Sequence, residues 1–184
     1  MRFPFLLGTA LTLVIAIAPD AVLKSQAVQL RDGTVYFVQP PSLEGATTTY
    51  KTTYAWGATY YFTIDLPQKA GEPLQKITIN QHEGVDRVRF NLEDTVVFVG
   101  TPDHKGEKLQ IKDATSERKT RTVSLTFDPP ISPGKTITIG LKPVQNPGVS
   151  GVYLFGVKAF PAGEKSYGQF LGYGRLQFYS PDFL

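Results

Sequence analysis

The chain has 184 residues, of which 41% are hydrophobic and 12% aromatic, so it can bury a core and wholesale disorder is not expected. That length suits one domain. The formal net charge is +3 and no long run of Lys or Arg occurs, so a nucleic-acid-binding surface is not expected. The chain contains no cysteine, which excludes disulfides, thiolate zinc sites and cysteine nucleophiles.

The N-terminal segment has the layout of a secretory signal peptide. Arg2 precedes an apolar stretch over residues 3–18, and Pro19 and Asp20 follow it. A helix of this stretch would be about 24 Å long, shorter than the roughly 30 Å hydrocarbon core of a bilayer. A permanent membrane span is therefore the weaker interpretation.

The sequence predicts a signal-peptidase cleavage site at the end of this segment. Ser25-Gln26-Ala27 places small residues at the two positions that signal peptidase recognises. We therefore predict a signal peptide helix over residues 1–27 and a mature domain over residues 28–184, with no permanent membrane span after cleavage. An uncleaved N-terminal anchor is the alternative. Either form places the folded domain outside the cytoplasm, in the periplasm, the thylakoid lumen or the medium.

The mature region alternates apolar and polar residues with a period of two, which is typical of β-strands with one buried face. The apolar positions of the clearest segments are Tyr60, Phe62, Ile64 and Leu66; Ile77 and Ile79; Val88, Phe90 and Leu92; Val123, Leu125 and Phe127; and Ile137, Ile139 and Leu141. No convincing amphipathic helix occurs. About nine or ten short strands predict an all-β fold, a single immunoglobulin-like antiparallel β-sandwich.

Turn residues separate these segments. Asp32-Gly33 predicts a hairpin between residues 28–30 and 34–38. The three prolines of residues 128–134 are incompatible with a central strand and favour a crossover between sheets.

The C-terminal segment combines rings with glycines. One face of the predicted strand carries Phe170, Gly172, Gly174, Leu176 and Phe178. The other face carries Leu171, Tyr173, Arg175, Gln177 and Tyr179. The two glycines leave a trough on the first face, and we expect Trp56 or Tyr60 from a facing strand to fill it.

Short sequence blocks stand in a characteristic order across residues 30–179. They are Gly33-Thr34-Val35-Tyr36-Phe37 with Pro40-Pro41, Trp56-Gly57-Ala58-Thr59-Tyr60-Tyr61-Phe62, Ala70-Gly71-Glu72-Pro73-Leu74, Arg87-Val88-Arg89-Phe90, Phe127-Asp128-Pro129-Pro130, Gly151-Val152-Tyr153-Leu154-Phe155-Gly156-Val157 and Phe170-Leu171-Gly172. In order and spacing they resemble a family of exported cyanobacterial proteins catalogued only as a domain of unknown function. The resemblance implies a cyanobacterial source, export and a compact β domain, and it implies no activity.

The sequence offers no catalytic or metal-binding motif. His82 and His104 have no His or Cys partner at metal-binding spacing, so we expect exposed histidines, no metal site and no cofactor. Asp86, Glu93 and Asp94 could serve a hydrolase only if the fold brought two of them across a cleft. We predict no catalytic residue.

Residues 103–121 mix six basic with four acidic side chains. We expect a solvated loop and an edge strand there, because charged side chains prevent edge-to-edge association of sheets. A surface that binds polyanions is the alternative, although the acidic residues weaken its field.

Aromatic residues are the remaining candidates for a ligand site. We predict ligand contacts by Trp56, Tyr54, Tyr61, Tyr173 and Arg175, because flat rings with a polar rim bind sugars and protein partners. The alternative is that most of these rings fill the core of a fold without disulfides.

Two functional hypotheses follow. The first is an exported non-catalytic binding or structural module of the cell envelope or extracellular matrix, which engages a protein or a polysaccharide through an aromatic surface. The second is a secreted hydrolase or periplasmic metal-handling protein that uses Asp86, Glu93, Asp94 and the histidines. The second requires at least three such polar groups within about 4 to 6 Å of one another in a concave pocket.

Overall fold

The computed structural model describes residues 28–29 and 32–181. The predicted signal peptide, residues 1–27, lies outside the described residues, so its helix and its cleavage remain predictions. Across the described ranges, no helix is long and apolar enough to cross a membrane.

The described residues form thirteen β-strands. Their bounds are β1 (Val28–Gln29), β2 (Thr34–Tyr36), β3 (Ser42–Thr48), β4 (Tyr60–Leu66), β5 (Leu74–Glu83), β6 (Phe90–Gly100), β7 (Lys105–Lys108), β8 (Ile111–Glu117), β9 (Thr122–Ile131), β10 (Lys135–Pro143), β11 (Gly151–Pro161), β12 (Lys165–Ser166) and β13 (Gln169–Phe178).

Two five-stranded antiparallel sheets pack face to face. The first sheet has the strand order β3-β4-β10-β6-β7, and the second has the order β13-β11-β5-β9-β8. A small third sheet, β1-β2-β12, contains the hairpin expected at Asp32-Gly33, with Val28 opposite Tyr36. The predicted all-β, immunoglobulin-like antiparallel sandwich is confirmed.

The core lies between the two large sheets, where the predicted alternation puts one face of each strand. Tyr60, Phe62, Ile64 and Leu66 of β4 are fully buried, as are Ile137 and the other inward residues of β10. The rings of Tyr60 and Phe178, contributed by opposite sheets, have their centroids 5.5 Å apart. Full burial of such a side chain contributes about 1.5–3 kcal/mol, so burial alone can hold a fold that has no disulfide.

The prediction that prolines would exclude a central strand at residues 128–134 is wrong in part. Strand β9 continues to Ile131 and lies between β5 and β8. Its pairing with β5 is interrupted, because Lys76 pairs with Thr126 whereas Leu74 pairs with Ile131. The irregularity accommodates prolines that cannot donate hydrogen bonds. The expected crossover is present, since β9 belongs to the second sheet and β10 to the first.

The predicted faces of β13 are also wrong near its start. Val157 of β11 pairs with Gly172 and Lys158 pairs with Phe170, so Leu171 is the extra residue of a β-bulge. The bulge shifts the alternation by one residue. Phe170 is therefore exposed, and Leu171 packs against the core.

The side chains that fill the glycine trough are not the ones expected from the sequence. A Cβ at Gly174 would lie 2.7 Å from Cβ of Ala46 and 2.9 Å from the ring of Phe62. These two residues occupy the space that we assigned to Trp56 or Tyr60. Trp56 is exposed, while Tyr60 packs farther along the strand.

Candidate functional site

The structure does not bring the five predicted ligand-contacting residues into one site. Tyr54 and Trp56 lie in the loop between β3 and β4. Tyr61 lies on β4 in the first sheet, where its ring contacts the ring of Phe98 edge-on and the ammonium of Lys105.

The remaining two lie on the second sheet. Tyr173 and Arg175 are exposed on β13. Arg175 Nη2 donates a hydrogen bond to Gln177 Oε1 at 3.0 Å, on the outward face of that strand. Tyr173 also borders a groove on the outward face of the second sheet, so it is the best placed of the five residues for ligand contact.

A groove of about 610 Å³ crosses the outward face of the second sheet. Strands β5, β9, β11 and β13 supply its lining. The lining residues, which define the outer groove, are Thr78, Asn80, His82, Thr122, Gly156, Lys158, Phe160, Phe170 and Tyr173. The volume falls within the range of about 300–1,000 Å³ that is usual for small-ligand sites.

Three rings meet at one end of the outer groove. The ring centroids of Phe170 and Tyr173 are 5.0 Å apart at 68°, and those of His82 and Tyr173 are 4.8 Å apart at 32°. Gly156 forms the floor beneath them, because a Cβ there would lie 3.3 Å from both the Phe170 and the Tyr173 ring. The bulge in β13 creates this arrangement by placing Phe170 on the outward face.

Polar groups line the rest of the outer groove. The Asn80 amide nitrogen donates to the carbonyl of Thr120 and to Thr122 Oγ1, which fixes the orientation of the amide. Phe160 lies under the ammonium of Lys76, 4.2 Å from the ring centroid. Fixed rings beside hydroxyl, amide and ammonium groups can stack on the apolar faces of sugars and bind their hydroxyls.

The loop that carries Tyr54 and Trp56 is anchored by a buried asparagine. Asn146, 3% exposed, donates from Nδ2 to the carbonyls of Tyr50 at 3.0 Å and Thr52 at 2.9 Å. Its Oδ1 accepts a hydrogen bond from the Tyr60 hydroxyl at 2.9 Å. These bonds hold the loop while the Trp56 side chain remains 69% exposed.

The buried phenols are not poised for proton transfer. Burial raises the pKa of Tyr60 well above its ordinary value, and the neighbouring Tyr153 raises it further. Burial also raises the pKa of Tyr153. Both hydroxyls therefore stay protonated around neutral pH and act as hydrogen-bond donors.

The residues of the hydrolase hypothesis occupy separate surroundings. Asp86 Oδ2 accepts from the backbone nitrogens of Gly148 at 2.7 Å and Val149 at 3.0 Å. Asp94 Oδ2 accepts from Asn91 Nδ2 at 2.7 Å. Among residues 28–29 and 32–181, no three His, Asp or Glu side chains are grouped so that they could hold a metal ion.

Sequence reasoning missed most of the outer groove. It identified Tyr173 as a ligand contact, but it placed Phe170 on the face of the glycine trough, considered His82 only for a hydrolase or metal site and did not name Phe160. The surroundings of these three residues depend on which strands are neighbours. The alternation of residues 76–82 showed which of them share a face, but it could not show that β11 lies between β5 and β13.

Residues 34–178 match the family described as "Protein of unknown function (DUF2808)". The chain belongs to this family. The match confirms the resemblance to a family of unknown function, while the cyanobacterial source remains a prediction. No curated protein matches the sequence.

Several solved structures are similar in fold. The full-length major pilin SpaD from Corynebacterium diphtheriae is 12% identical with a TM-score of 0.49, over 74% of this chain and 34% of that chain. The collagen-binding domain of a Staphylococcus aureus adhesin is 12% identical with a TM-score of 0.37, over 66% and 87%. BslA, described as a bacterial hydrophobin, is 14% identical with a TM-score of 0.43, over 77% and 99%. At these values the likeness carries no functional argument.

Proposed function

We propose that the chain is an exported, non-catalytic module that binds a polysaccharide of the cell envelope or extracellular matrix in the outer groove. The observation that carries this proposal is the pair of rings, Phe170 and Tyr173, held over Gly156 and continued by Asn80 and Lys158. The rings offer stacking surfaces, and the polar groups offer hydrogen bonds to hydroxyls.

A polysaccharide fits the outer groove better than an extended peptide does. Strand β11, which runs through the groove, pairs with β5 on one side and β13 on the other. Its backbone hydrogen bonds are therefore used, so a peptide lying over β11 in the groove could not be added there as a further strand. Recognition there depends on side chains.

The lining of the outer groove supports a binding role. A glycosidase needs two carboxyl groups that flank the bond it cleaves. Neither Asp nor Glu occurs among the lining residues of this groove. A bound sugar chain would be held there without an acid and base beside it.

Export is part of the same proposal. The apolar segment of residues 3–18 and the small residues before position 28 support a cleaved leader. The mature domain, residues 28–184, would then act in the periplasm, in the thylakoid lumen or outside a cyanobacterial cell.

Titration of the purified protein with polysaccharides from the native envelope and matrix tests the proposal. Calorimetry should show binding that Tyr173→Ala weakens about tenfold, a loss of about 1.4 kcal/mol. Tyr50→Ala is the matched control, because Tyr50 is an exposed tyrosine outside the groove. The proposal fails if no polysaccharide binds, or if both variants bind equally well. Retention of a protein partner after glycans are removed would assign the groove to a protein instead.

A further inference from the structure

Four arginines gather around a second, smaller pocket. Arg87 and Arg89 come from the segment before β6, and Arg118 and Arg121 come from the turn between β8 and β9. The pocket has a volume of about 260 Å³. Its other lining residues, which complete the arginine pocket, are Val88, Phe90, Ser116, Glu117, Val123 and Val144.

The charge in the arginine pocket is not neutralised by the chain. Within the described ranges, the single ion pair closer than 4.0 Å joins Lys112 and Asp128, so none of the four arginines has one. Glu117 is the acidic residue of the lining, and its Oε1 accepts from the Lys119 backbone nitrogen at 2.8 Å. Guanidinium groups stay charged at any ordinary pH. A concave cluster of like charges attracts an anion and destabilises the empty fold.

A buried glutamine holds both sides of the arginine pocket. Gln81, 5% exposed, donates from Nε2 to the carbonyl of Asp86 at 2.6 Å and accepts at Oε1 from the Val88 nitrogen at 2.9 Å. Arg87 lies between those two residues. The Gln81 backbone nitrogen donates to the carbonyl of Arg121 at 3.0 Å. The backbone that carries Arg87 and Arg121 is therefore held in place before any ligand arrives.

The backbone of Arg121 is strained in this arrangement. Its φ is 54°, in the left-handed region that residues other than glycine rarely adopt. Such conformations persist where the surrounding structure enforces them. The hydrogen bond from Gln81 to the Arg121 carbonyl supplies that restraint.

The arginine pocket opens onto an exposed ring. A neighbouring depression of about 280 Å³ shares Arg87, Arg89 and Val144 with it. Trp56 and Asp86 line this second depression. The Val144 nitrogen donates to the Arg89 carbonyl at 2.8 Å, which keeps the shared wall in place.

We propose that the arginine pocket binds the carboxylate or sulfate group of an acidic polysaccharide, with an adjacent sugar ring on Trp56. A small inorganic anion would leave Trp56 without a role. A nucleic acid carries a phosphate on every nucleotide and would place some of them against Asp86 and Glu117. A glycan that carries acid groups on alternate sugars avoids this repulsion. The site lies apart from the outer groove and goes beyond the function proposed for it.

Two pairs of oligosaccharides test this proposal and separate the two acid groups. Hyaluronan oligosaccharides carry carboxylates on alternate sugars and are compared with their carboxyl-reduced form. Kappa-carrageenan oligosaccharides carry sulfates on alternate sugars and are compared with their desulfated form. At least one acidic member should bind the purified protein, change Trp56 fluorescence and exceed its neutral form by about tenfold or more.

Variants on either side of the pocket identify the site. Arg89→Gln and Arg118→Gln should each weaken binding of the acidic oligosaccharide about tenfold, because each removes charged hydrogen bonds. Lys119→Gln is the matched control, because Lys119 lies in the same turn but does not line the pocket. It should change the affinity little, as should Tyr173→Ala in the outer groove.

Three results would overturn the proposal. The first is that neither acidic oligosaccharide binds more tightly than its neutral form. The second is that Lys119→Gln weakens binding as much as Arg89→Gln, which would mean a diffuse response to charge. The third is that a single-stranded DNA oligonucleotide displaces the glycan at a lower concentration, which would assign the pocket to nucleic acid.

Discussion

The phenol of Tyr60 couples the stability of the protein to alkaline pH. Burial raises the pKa of Tyr60 in the folded state above the value of about 10 that it has in the unfolded chain. The unfolded state therefore loses this proton first as the pH rises. The resulting stability is fully present below about pH 10 and is lost progressively above it. Burial gives Tyr153 a shift of the same sign.

Urea unfolding measured from about pH 8 to about pH 11 checks this prediction. The free energy of unfolding should fall with pH, and Tyr60→Phe should make the fall shallower. That variant also loses the hydrogen bond to Asn146, which contributes about 1 kcal/mol at neutral pH. An equally steep fall in the variant would contradict the assignment to Tyr60.

Gly174 is required by the close approach of the two sheets. An alanine there would put its Cβ 2.7 Å from Ala46 and 2.9 Å from Phe62. We expect Gly174→Ala to lower the free energy of unfolding by about 1–3 kcal/mol, the usual cost of overpacking. Gly45→Ala, where nothing lies within 4 Å of the added carbon, should be neutral or slightly stabilising in the same urea titration. Equal stability of the two variants would show that the sheets can separate.

Single residues differ in how far the sequence predicts them. The inward direction of Phe62 and Ile64 follows from the two-residue period, because one buried face requires it. The exposure of Trp56 does not follow from any period, since it lies in a loop whose position depends on Asn146, far away in sequence.

Among the strands, β13 shows where the sequence pattern fails. A bulge adds one residue to a strand, so the residues beyond it exchange faces. The sequence around Phe170 alternates equally well with or without the bulge. The partner strand β11 decides between the two registers, and it could not be identified as a neighbour from sequence. The most important ring pair of the outer groove was missed for that reason.

The edge strand β8 carries exposed charges that we expect to keep the protein soluble. Lys112 and Asp113 are exposed there, beside backbone groups that no neighbouring strand covers. We expect the double variant Lys112→Val with Asp113→Val to self-associate, because charged edge residues oppose pairing between molecules. Light scattering at increasing protein concentration measures this.

A charge-preserving variant is the control for that experiment. Lys112→Arg with Asp113→Glu should remain monodisperse under the same conditions. The free energy of unfolding should change little in either variant, because the Lys112–Asp128 pair is exposed and such pairs contribute little. A monodisperse valine variant would contradict the protective role of the charges.

For the whole molecule, the two large sheets share one core, so we expect them to unfold together. Near-ultraviolet circular dichroism reports the buried tyrosines, and far-ultraviolet circular dichroism reports the strands. Their urea transitions should coincide. Two separated transitions would show that the sheets are stable independently.

Refolding of the same protein should be slow. Ile139 pairs with Phe62, and most other pairings also join distant parts of the chain. Folds dominated by such contacts fold in milliseconds to seconds. Stopped-flow fluorescence is poorly suited to this measurement because Trp56 is exposed, so stopped-flow circular dichroism is preferable. Refolding within microseconds would contradict the prediction.

The net charge of the chain gives no indication of the arginine pocket. The sum over the chain is only +3, and the segment of residues 103–121 contains acids that dilute its basic residues. Folding concentrates basic residues from two parts of the chain, because Arg118 and Arg121 join Arg87 and Arg89 around one cavity whose lining holds Glu117 as its acidic residue. The two-residue alternation predicted the class of fold, whereas the meeting of distant side chains required the strand order.

The turn between β8 and β9 is held at two points by neighbouring residues of β5. The Asn80 amide, in the outer groove, binds the Thr120 carbonyl, and the Gln81 nitrogen binds the Arg121 carbonyl beside the arginine pocket. We expect occupancy of either cavity to alter the affinity of the other through this shared tether. Thermodynamic reciprocity then requires the same cooperativity factor in both directions, whichever ligand is added first. Titrations in both orders measure that factor, and a value of one would mean that the two cavities act independently.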